Sequence, residues 1–305
     1  MLQELTEQDK RGRPVRKHPI IRKAVIAGVA AVVLMVIFGL GTLAYNNVSL
    51  ASDEAFAKRL DAAIERCLNW TEAHRDVILK KKNIALIKML TEIESLRATP
   101  IFSDIVSSFM AAPTRPRCWK RLVDPNWPVD EIELNIAIKK EYIDNKWVLY
   151  AMAPDKAKIT PEEMDLFNPE RWQGRKLTHQ LDALITLRRT KGANKELDEL
   201  IEHLCNRLSS ELVFDVAVMD IYIQKVTFVL RAGFPEKIRR RWVERIIANQ
   251  LDDGGWNDRW FWLTSDSRRP VFDFATPAGN QHATVQALAA LYFVKYRYPE
   301  CFGLK

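Results

Sequence analysis

Residues 24–45, AVIAGVAAVVLMVIFGLGTLAY, carry no charged side chain and only Thr42 and Tyr45 as polar ones. At about 1.5 Å rise per residue, a helix over this run is about 33 Å long, enough to cross a hydrocarbon core of about 30 Å. One Arg or Lys at mid-span would cost about 2.5–3.5 kcal/mol on insertion. None is present, and the run reads as a transmembrane helix. The segment before it, residues 1–23, holds seven Lys/Arg against Glu4, Glu7 and Asp9. The positive-inside rule then predicts a cytoplasmic N-terminus, with everything after Tyr45 outside the cytoplasm. Ser49 and Ala51 are small residues at which a cleaved leader would end. Against cleavage, the apolar run exceeds the about 7–15 residues of a signal-peptide core, and the leader before it is long. The expected layout is a basic cytoplasmic tail (1–23), an anchor (24–45) and an extracytoplasmic domain (46–305) facing the periplasm at an inner membrane. That domain has an N-terminal helical part (46–170) and a more regular part (171–305).

The net charge of +7 is concentrated, since +4 of it lies in the first 23 residues. The remaining excess is too dilute to displace counterions from a phosphate backbone, so nucleic acid is excluded as a partner. All four cysteines, Cys67, Cys118, Cys205 and Cys301, follow the span. That compartment permits disulfides, and the spacing leaves both two bridges and four separate thiols open. No CxxC pair exists, and no metal or cofactor is expected.

Past the span the apolar periodicity is helical. Phe56, Leu60, Ile64, Cys67 and Thr71 recur at three and four residues, and further helices are expected over 84–96, 101–111 and 129–145. WVLYAMA (147–153) reads as a short strand or buried extended piece. Leu177, Leu181, Leu184 and Leu187, then Leu197, Leu200, Ile201, Leu204 and Leu208, mark two amphipathic helices joined at 191–194. Residues 215–230 and 282–294 are apolar nearly all round, and helices of that kind need cover on every side. Amphipathic and enclosed helices therefore alternate: 195–211 outer, 215–231 inner, 236–250 outer, 281–297 inner. The fold class expected is all-α, in two layers.

The stretch Gln250-Leu251-Asp252-Asp253-Gly254-Gly255-Trp256, with Thr276-Pro277 and the run His282 to Tyr292, resembles the repeat of the α/α-toroid superfamily. That group includes terpenoid cyclases, protein prenyltransferase β-subunits and several sugar-active enzymes. The resemblance spans about residues 215–298, with 66–74 similar to a degenerate hairpin start. It implies an outer helix joined to an inner one through a Gln…Gly-x-Trp turn, in a toroid that is either closed or partial. The chain has neither the Asp-x-Asp-Asp acid nor the Asp-Asp-x-x-Asp metal motif of the cyclases, nor a zinc set spaced like that of the prenyltransferases. Those chemistries are therefore not implied.

Two readings of the 249–262 stretch follow. As a helix stop, Gly254 and Gly255 take the turn and Trp256 seals the hairpin. As a binding surface, Trp256, Trp260 and Trp262 stack on a sugar ring while Asp266 and Asp273 bond its hydroxyls. The insertion from 251 to 280 is long for a compact helical domain, and loops of that length are often functional. Candidate acids and bases are Asp220, Asp253, Asp258 and His282. Asp220 lies in an otherwise enclosed helix, where a carboxylate has to pair, for instance with Lys225 or an outer-helix arginine, or else face a wet cavity. His179 in the run Leu177 to Leu184 is a second histidine of the same kind. Asp215 and Asp220 diverge by about 140° around a helix and do not share one cavity. The basic run Lys237, Arg239, Arg240, Arg241 and Arg245 reads as a solvated face. The function expected is binding or scaffolding by an anchored helical domain, with glycan, lipid-linked or envelope-protein partners. The alternatives are an anchored enzyme on glycan or isoprenoid-linked substrates, and a subunit of a larger envelope complex.

Overall fold

The computed structural model describes residues 19–81, 83–113, 117–141, 143–158, 160, 176–257, 263–264, 271–272 and 278–304. It divides into two units, Met1–Tyr45 and Asn46–Lys305. The first is dominated by helix α1 (Pro19–Asn47). Its residues from 23 to 40 are exposed, and it is long and apolar enough to cross a membrane. A signal sequence near the N-terminus meets the same description.

The second unit is helical. It comprises α2 (Asp53–Ala73), α3 (Arg75–Lys81), α4 (Ile84–Leu96), α5 (Pro100–Ala111), α6 (Glu131–Lys140) and α7 (Ile143–Met152), followed by α8 (Lys176–Lys191), α9 (Lys195–Phe214), α10 (Asp220–Ala232), α11 (Arg240–Ala248) and α12 (Gln281–Tyr292). A 3-10 helix, Arg117–Leu122, links α5 to α6. A two-residue antiparallel pairing joins Leu263–Thr264 to Val271–Phe272. Short polar residues start the helices by accepting an orphan backbone N–H: Ser52 from Ala55, Asn83 from Ala85, Asp130 from Glu133, Asn194 from Leu197 and Asn280 from Ala283. Gly233, at φ 100°, ends α10 in the left-handed region, and Pro235 follows immediately.

The helices differ in how far they are enclosed, and α11, expected as an outer helix, is buried from Trp242 to Ile247. Every residue from Tyr222 to Ala232 on α10 and from Ala283 to Tyr292 on α12 is buried. On α2 and α9 a single face is buried, including Phe56, Leu60, Cys67 and Trp70 on one and Leu197, Ile201, Leu204 and Leu208 on the other. The enclosed helices pack in a fixed order. α4 lies against α12, α12 against α10, α10 against α8, and α8 against α7; the 3-10 helix 117–122 touches both α7 and α4. α9 covers α8 and α10, while α2 covers α12 and α11. One large core cluster fills the space between layers, and a smaller one groups Trp119, Leu134, Trp147, Leu149 and Met152 around α6 and α7.

Three elements depart from the sequence expectation. Residues 147–153 lie largely in helix α7, not in an extended piece. A short apolar run bounded by turns has no period to separate a buried strand from a buried helix, and contact with α8 on one side and α6 on the other settles it. Helix α8 is enclosed where an amphipathic helix was expected. Its polar residues Thr178, Gln180, Asp182 and Thr186 are buried alongside its leucines. The basic run that leads into α11 is a solvated face only in part, with Arg239 exposed. Arg245 is buried and donates to the carbonyls of Asp215 and Val216, while Arg240 bonds Asp53, Ser49 and the carbonyl of Ala51. These arginines tie two extended stretches of the chain to α11.

Candidate functional site

The turn after α11 is a clamp. Gly254 has φ 88°, and a Cβ there would fall 2.4 Å from the Arg66 carbonyl oxygen. At Gly255 the reason for glycine is space, since a Cβ would lie 2.7 Å from Gly279 Cα and 2.8 Å from Trp70 Nε1. The Asp253 carboxylate accepts the N–H of Gly255 and of Gly279, each at 2.8 Å, and Trp70 Nε1–H at 3.3 Å. Burial works against its ionisation, but these donors outweigh that and hold the carboxyl below its ordinary value. Gln250 donates to the carbonyls of Ala63 and Gly254. Trp256 is 1% exposed; its indole donates to Ile246 O at 2.7 Å, and its backbone N–H reaches Thr284 Oγ1 at 2.9 Å. Trp256 thus seals the hairpin and has no open face for a sugar ring, while Asp253 spends its oxygens on the protein's own donors. Of the other candidates in this stretch, Asp258, Trp260, Trp262, Asp266 and Asp273 lie outside the described residues.

Asp220 and His282 come together elsewhere. Asp220 opens α10 and His282 is the second residue of α12, so two adjacent inner helices present their first turns side by side. His282 Nδ1 lies 2.8 Å from Asp220 Oδ1, and His282 Nε2 lies 3.0 Å from Gln286 Nε2 one turn further on. The same Gln286 nitrogen lies 3.3 Å from His282 Nδ1, so the amide approaches both ring nitrogens. Lys225, the partner anticipated for Asp220, instead pairs with Glu211 at 2.7 Å and Asp215 at 2.8 Å. Asp215 and Asp220 serve separate partners, but not by divergence around one helix: Asp215 caps the C-terminus of α9, and the inner helix expected from residue 215 begins only at Asp220.

His282 faces a cavity of about 490 Å³. First-turn residues of four helices contribute to its wall: Asn83 to Ala85 at α4, Asn145 at α7, His179 at α8 and His282 at α12. Trp119, Phe109 and Leu122 supply the apolar part, and Glu141 and Lys81 add charge at the wall. Helix N-termini carry partial positive charge, which favours electron-rich groups between them.

Asp182 lines the same cavity and anchors a buried ion network. Lys88 Nζ reaches Asp182 Oδ1 at 3.1 Å and Thr186 Oγ1 at 2.6 Å, and Arg231 bonds both Asp182 and Glu92. Burial opposes ionisation of Asp182, but the Lys88 and Arg231 charges prevail and hold it well below the carboxylate range. Burial, reinforced by Arg231, draws Lys88 down to about 8 despite the attraction of Asp182. Asp182 is thus a fixed negative charge rather than a proton donor. The sequence reading passed over Lys88, Glu92, Asp182 and Arg231. Their signal was present: each is a charged residue inside a helix whose flanking positions are leucine-rich, where burial demands a partner.

Among the described residues, no group of three or more His, Cys, Asp or Glu side chains is placed to hold a metal ion. Cys67, Cys118 and Cys205 are buried free thiols and Cys301 is an exposed one. Compared with family models, curated proteins and solved structures, the chain matches none.

Proposed function

We propose that this chain is a single-pass membrane protein with its N-terminus in the cytoplasm, whose α/α-toroid-like domain captures a small polar ligand on the periplasmic side of an inner membrane. The observation that carries the reading is His282, which lines the 490 Å³ cavity and is paired from behind the wall with Asp220. Cavities of about 300–1,000 Å³ with an apolar wall and a few convergent polar groups are the usual form of a small-molecule site. His179, His282, Asn83 and Asn145 supply donors and acceptors from separate helices, and Trp119 and Phe109 supply stacking area. The ligand classes this wall suits are glycan fragments and the head portions of lipid-linked intermediates.

A second reading, an anchored enzyme on the same ligands, is favoured by the carboxylate beside His282. A carboxylate hydrogen-bonded to an imidazole is the arrangement that orients a histidine for general-base work. Thermal-shift screening of the full-length protein in detergent, against soluble glycan fragments and short isoprenoid phosphates, tests both. A ligand whose stabilisation disappears in His282→Gln supports capture at this site, and turnover of that ligand, lost in the same variant, selects the enzyme. If every stabilising ligand acts equally on His282→Gln, the cavity is not the binding site.

A further inference from the structure

The enclosed helices frame a second cavity near their C-terminal ends. The last turns of α4, α8 and α10, with the π-helical turn Phe293–Arg297 that follows α12, surround this cavity of about 650 Å³. Its wall carries four arginines, Arg188, Arg189, Arg231 and Arg297, against two carboxylates, Glu92 and Asp198. The pairing within it is uneven. Arg231 is fully engaged by Glu92 and Asp182. Arg188 is engaged by Asp198 at 3.4 Å and by the Ala232 carbonyl at 2.8 Å. Arg189 gives one Nη to the carbonyl of Leu122 at 3.0 Å, and among the described residues it has no carboxylate within ion-pair distance. Arg297 lies over the rings of Phe293 and Tyr298, at 5.8 and 5.2 Å, and likewise has no carboxylate partner among the described residues. Both Arg189 and Arg297 are exposed.

Two guanidinium groups that make no ion pair among the described residues therefore face one concavity. Capping of helix-terminal carbonyls accounts for a single Nη of Arg189 and for nothing at Arg297. A guanidinium presents its donors as a planar fork that matches the oxygens of a tetrahedral oxyanion, and two such charges balance a dianion where a single carboxylate would leave one over. Beside the charges lie Phe234, Phe293, Leu96 and Ile185, an apolar surface on which the rest of a molecule can rest. The volume exceeds what a bare inorganic ion fills. We propose that this cavity binds the phosphoryl group of a phosphomonoester with an apolar substituent, held by Arg189 and Arg297. The source of that group is either a soluble organophosphate or a phosphomonoester lipid headgroup. The site is separate from the His282 cavity, and its test does not depend on what that cavity binds.

The experiment uses full-length protein in phosphatidylcholine nanodiscs and phenyl phosphate as probe, titrated against sodium chloride at matched ionic strength. The expected result is a saturable rise in melting temperature with phenyl phosphate alone, with affinity weakened about tenfold or more in Arg189→Gln and Arg297→Gln, the loss expected for a charge-assisted hydrogen bond. Arg239→Gln, which alters an exposed arginine away from this wall, keeps the wild-type affinity. Nanodiscs containing phosphatidate distinguish the sources: competition with phenyl phosphate identifies a headgroup site, and its absence identifies a soluble ligand. Should either variant fail to fold, phenylglyoxal labelling of the wild type replaces it, with phosphate shielding Arg189 and Arg297 while Arg239 stays reactive. No stabilisation beyond chloride, or equal affinity in the two variants, or equal labelling with and without phosphate, overturns the proposal.

Discussion

His282 Nδ1 and Asp220 Oδ1 stand 2.8 Å apart, and that contact joins the first turns of two neighbouring inner helices at the edge of a cavity. Both side chains are about one-third exposed, so solvent screens the pair and its contribution to folding is expected to be about 1 kcal/mol or less. Asp220→Asn preserves the shape but removes the negative charge beside the imidazole. Urea denaturation of Asp220→Asn and His282→Gln is expected to leave stability within about 1 kcal/mol of wild type, while ligand capture or turnover falls sharply in both. A large stability loss with capture unchanged would make the pair a helix-to-helix tie and nothing more.

The buried network predicts a different pattern. Asp182→Asn removes the carboxylate shared by Lys88 and Arg231, and leaving buried cations with a missing partner is expected to cost about 3–5 kcal/mol. The pH dependence follows from the shifts. Asp182 titrates lower in the folded chain than in the unfolded one, so its contribution is present above its ordinary value of 3.8 and fades as pH falls below it. The stability gap between wild type and Asp182→Asn should therefore narrow in acid. Lys88 is drawn from 10.5 to about 8, first by burial and then by Arg231. Between those values the unfolded chain binds the extra proton, so this group makes the folded state more stable as pH rises across that window. Chemical denaturation from pH 7 to 10.5 should show that rise in wild type relative to Lys88→Met. A difference that stays flat or declines contradicts the assignment.

The four cysteines separate by exposure. Burial raises the thiols of Cys67, Cys118 and Cys205, the last two to about 12, so little thiolate exists at neutral pH and reagent access is blocked as well. Cys301 is exposed. A membrane-impermeant maleimide applied to spheroplasts should label Cys301 rapidly, and the other three only after unfolding. Labelling of Cys301 that requires permeabilised membranes would place the helical domain on the cytoplasmic side and reverse the proposed orientation.

The alternation of enclosed and half-enclosed helices was legible because it rests on period: α10 and α12 have no polar face to put in water, and α2 and α9 have one each. The stop at Gly254 and Gly255 was legible because glycine has few other uses between a helix and a tryptophan. Asp220 and His282 could be named singly but not paired, since they lie 62 positions apart and meet only when α10 and α12 pack in register. Helix α8 was misread for a related reason. Its leucine spacing implies a polar side open to water, and only the approach of Lys88 from α4 and Arg231 from α10 to Asp182 shows that side to be interior. Local period finds the faces of a helix. It does not say whether a charged face meets water or a counter-charge.

The turn that clips α11 to α12 should fail in graded steps. Trp256→Ala empties a fully buried site and is expected to cost about 3–5 kcal/mol. Gly254→Ala demands a left-handed alanine at φ 88° with its Cβ 2.4 Å from the Arg66 carbonyl oxygen, so that turn of helix α2 has to move; the loss should exceed the about 1 kcal/mol of an ordinary glycine replacement. Asp253→Ala leaves the N–H groups of Gly255 and Gly279 and the Trp70 indole without their acceptor, at about 1–3 kcal/mol for each group that stays buried. Asp253→Asn keeps an acceptor oxygen and should recover part of that loss in denaturant melts. The comparison also decides the role of Asp253. If ligand capture by Asp253→Asn follows its stability, the carboxylate is structural; if capture vanishes while the melt stays near wild type, its charge acts on the ligand, and the hydrogen bonds from Gly255, Gly279 and Trp70 serve to aim it.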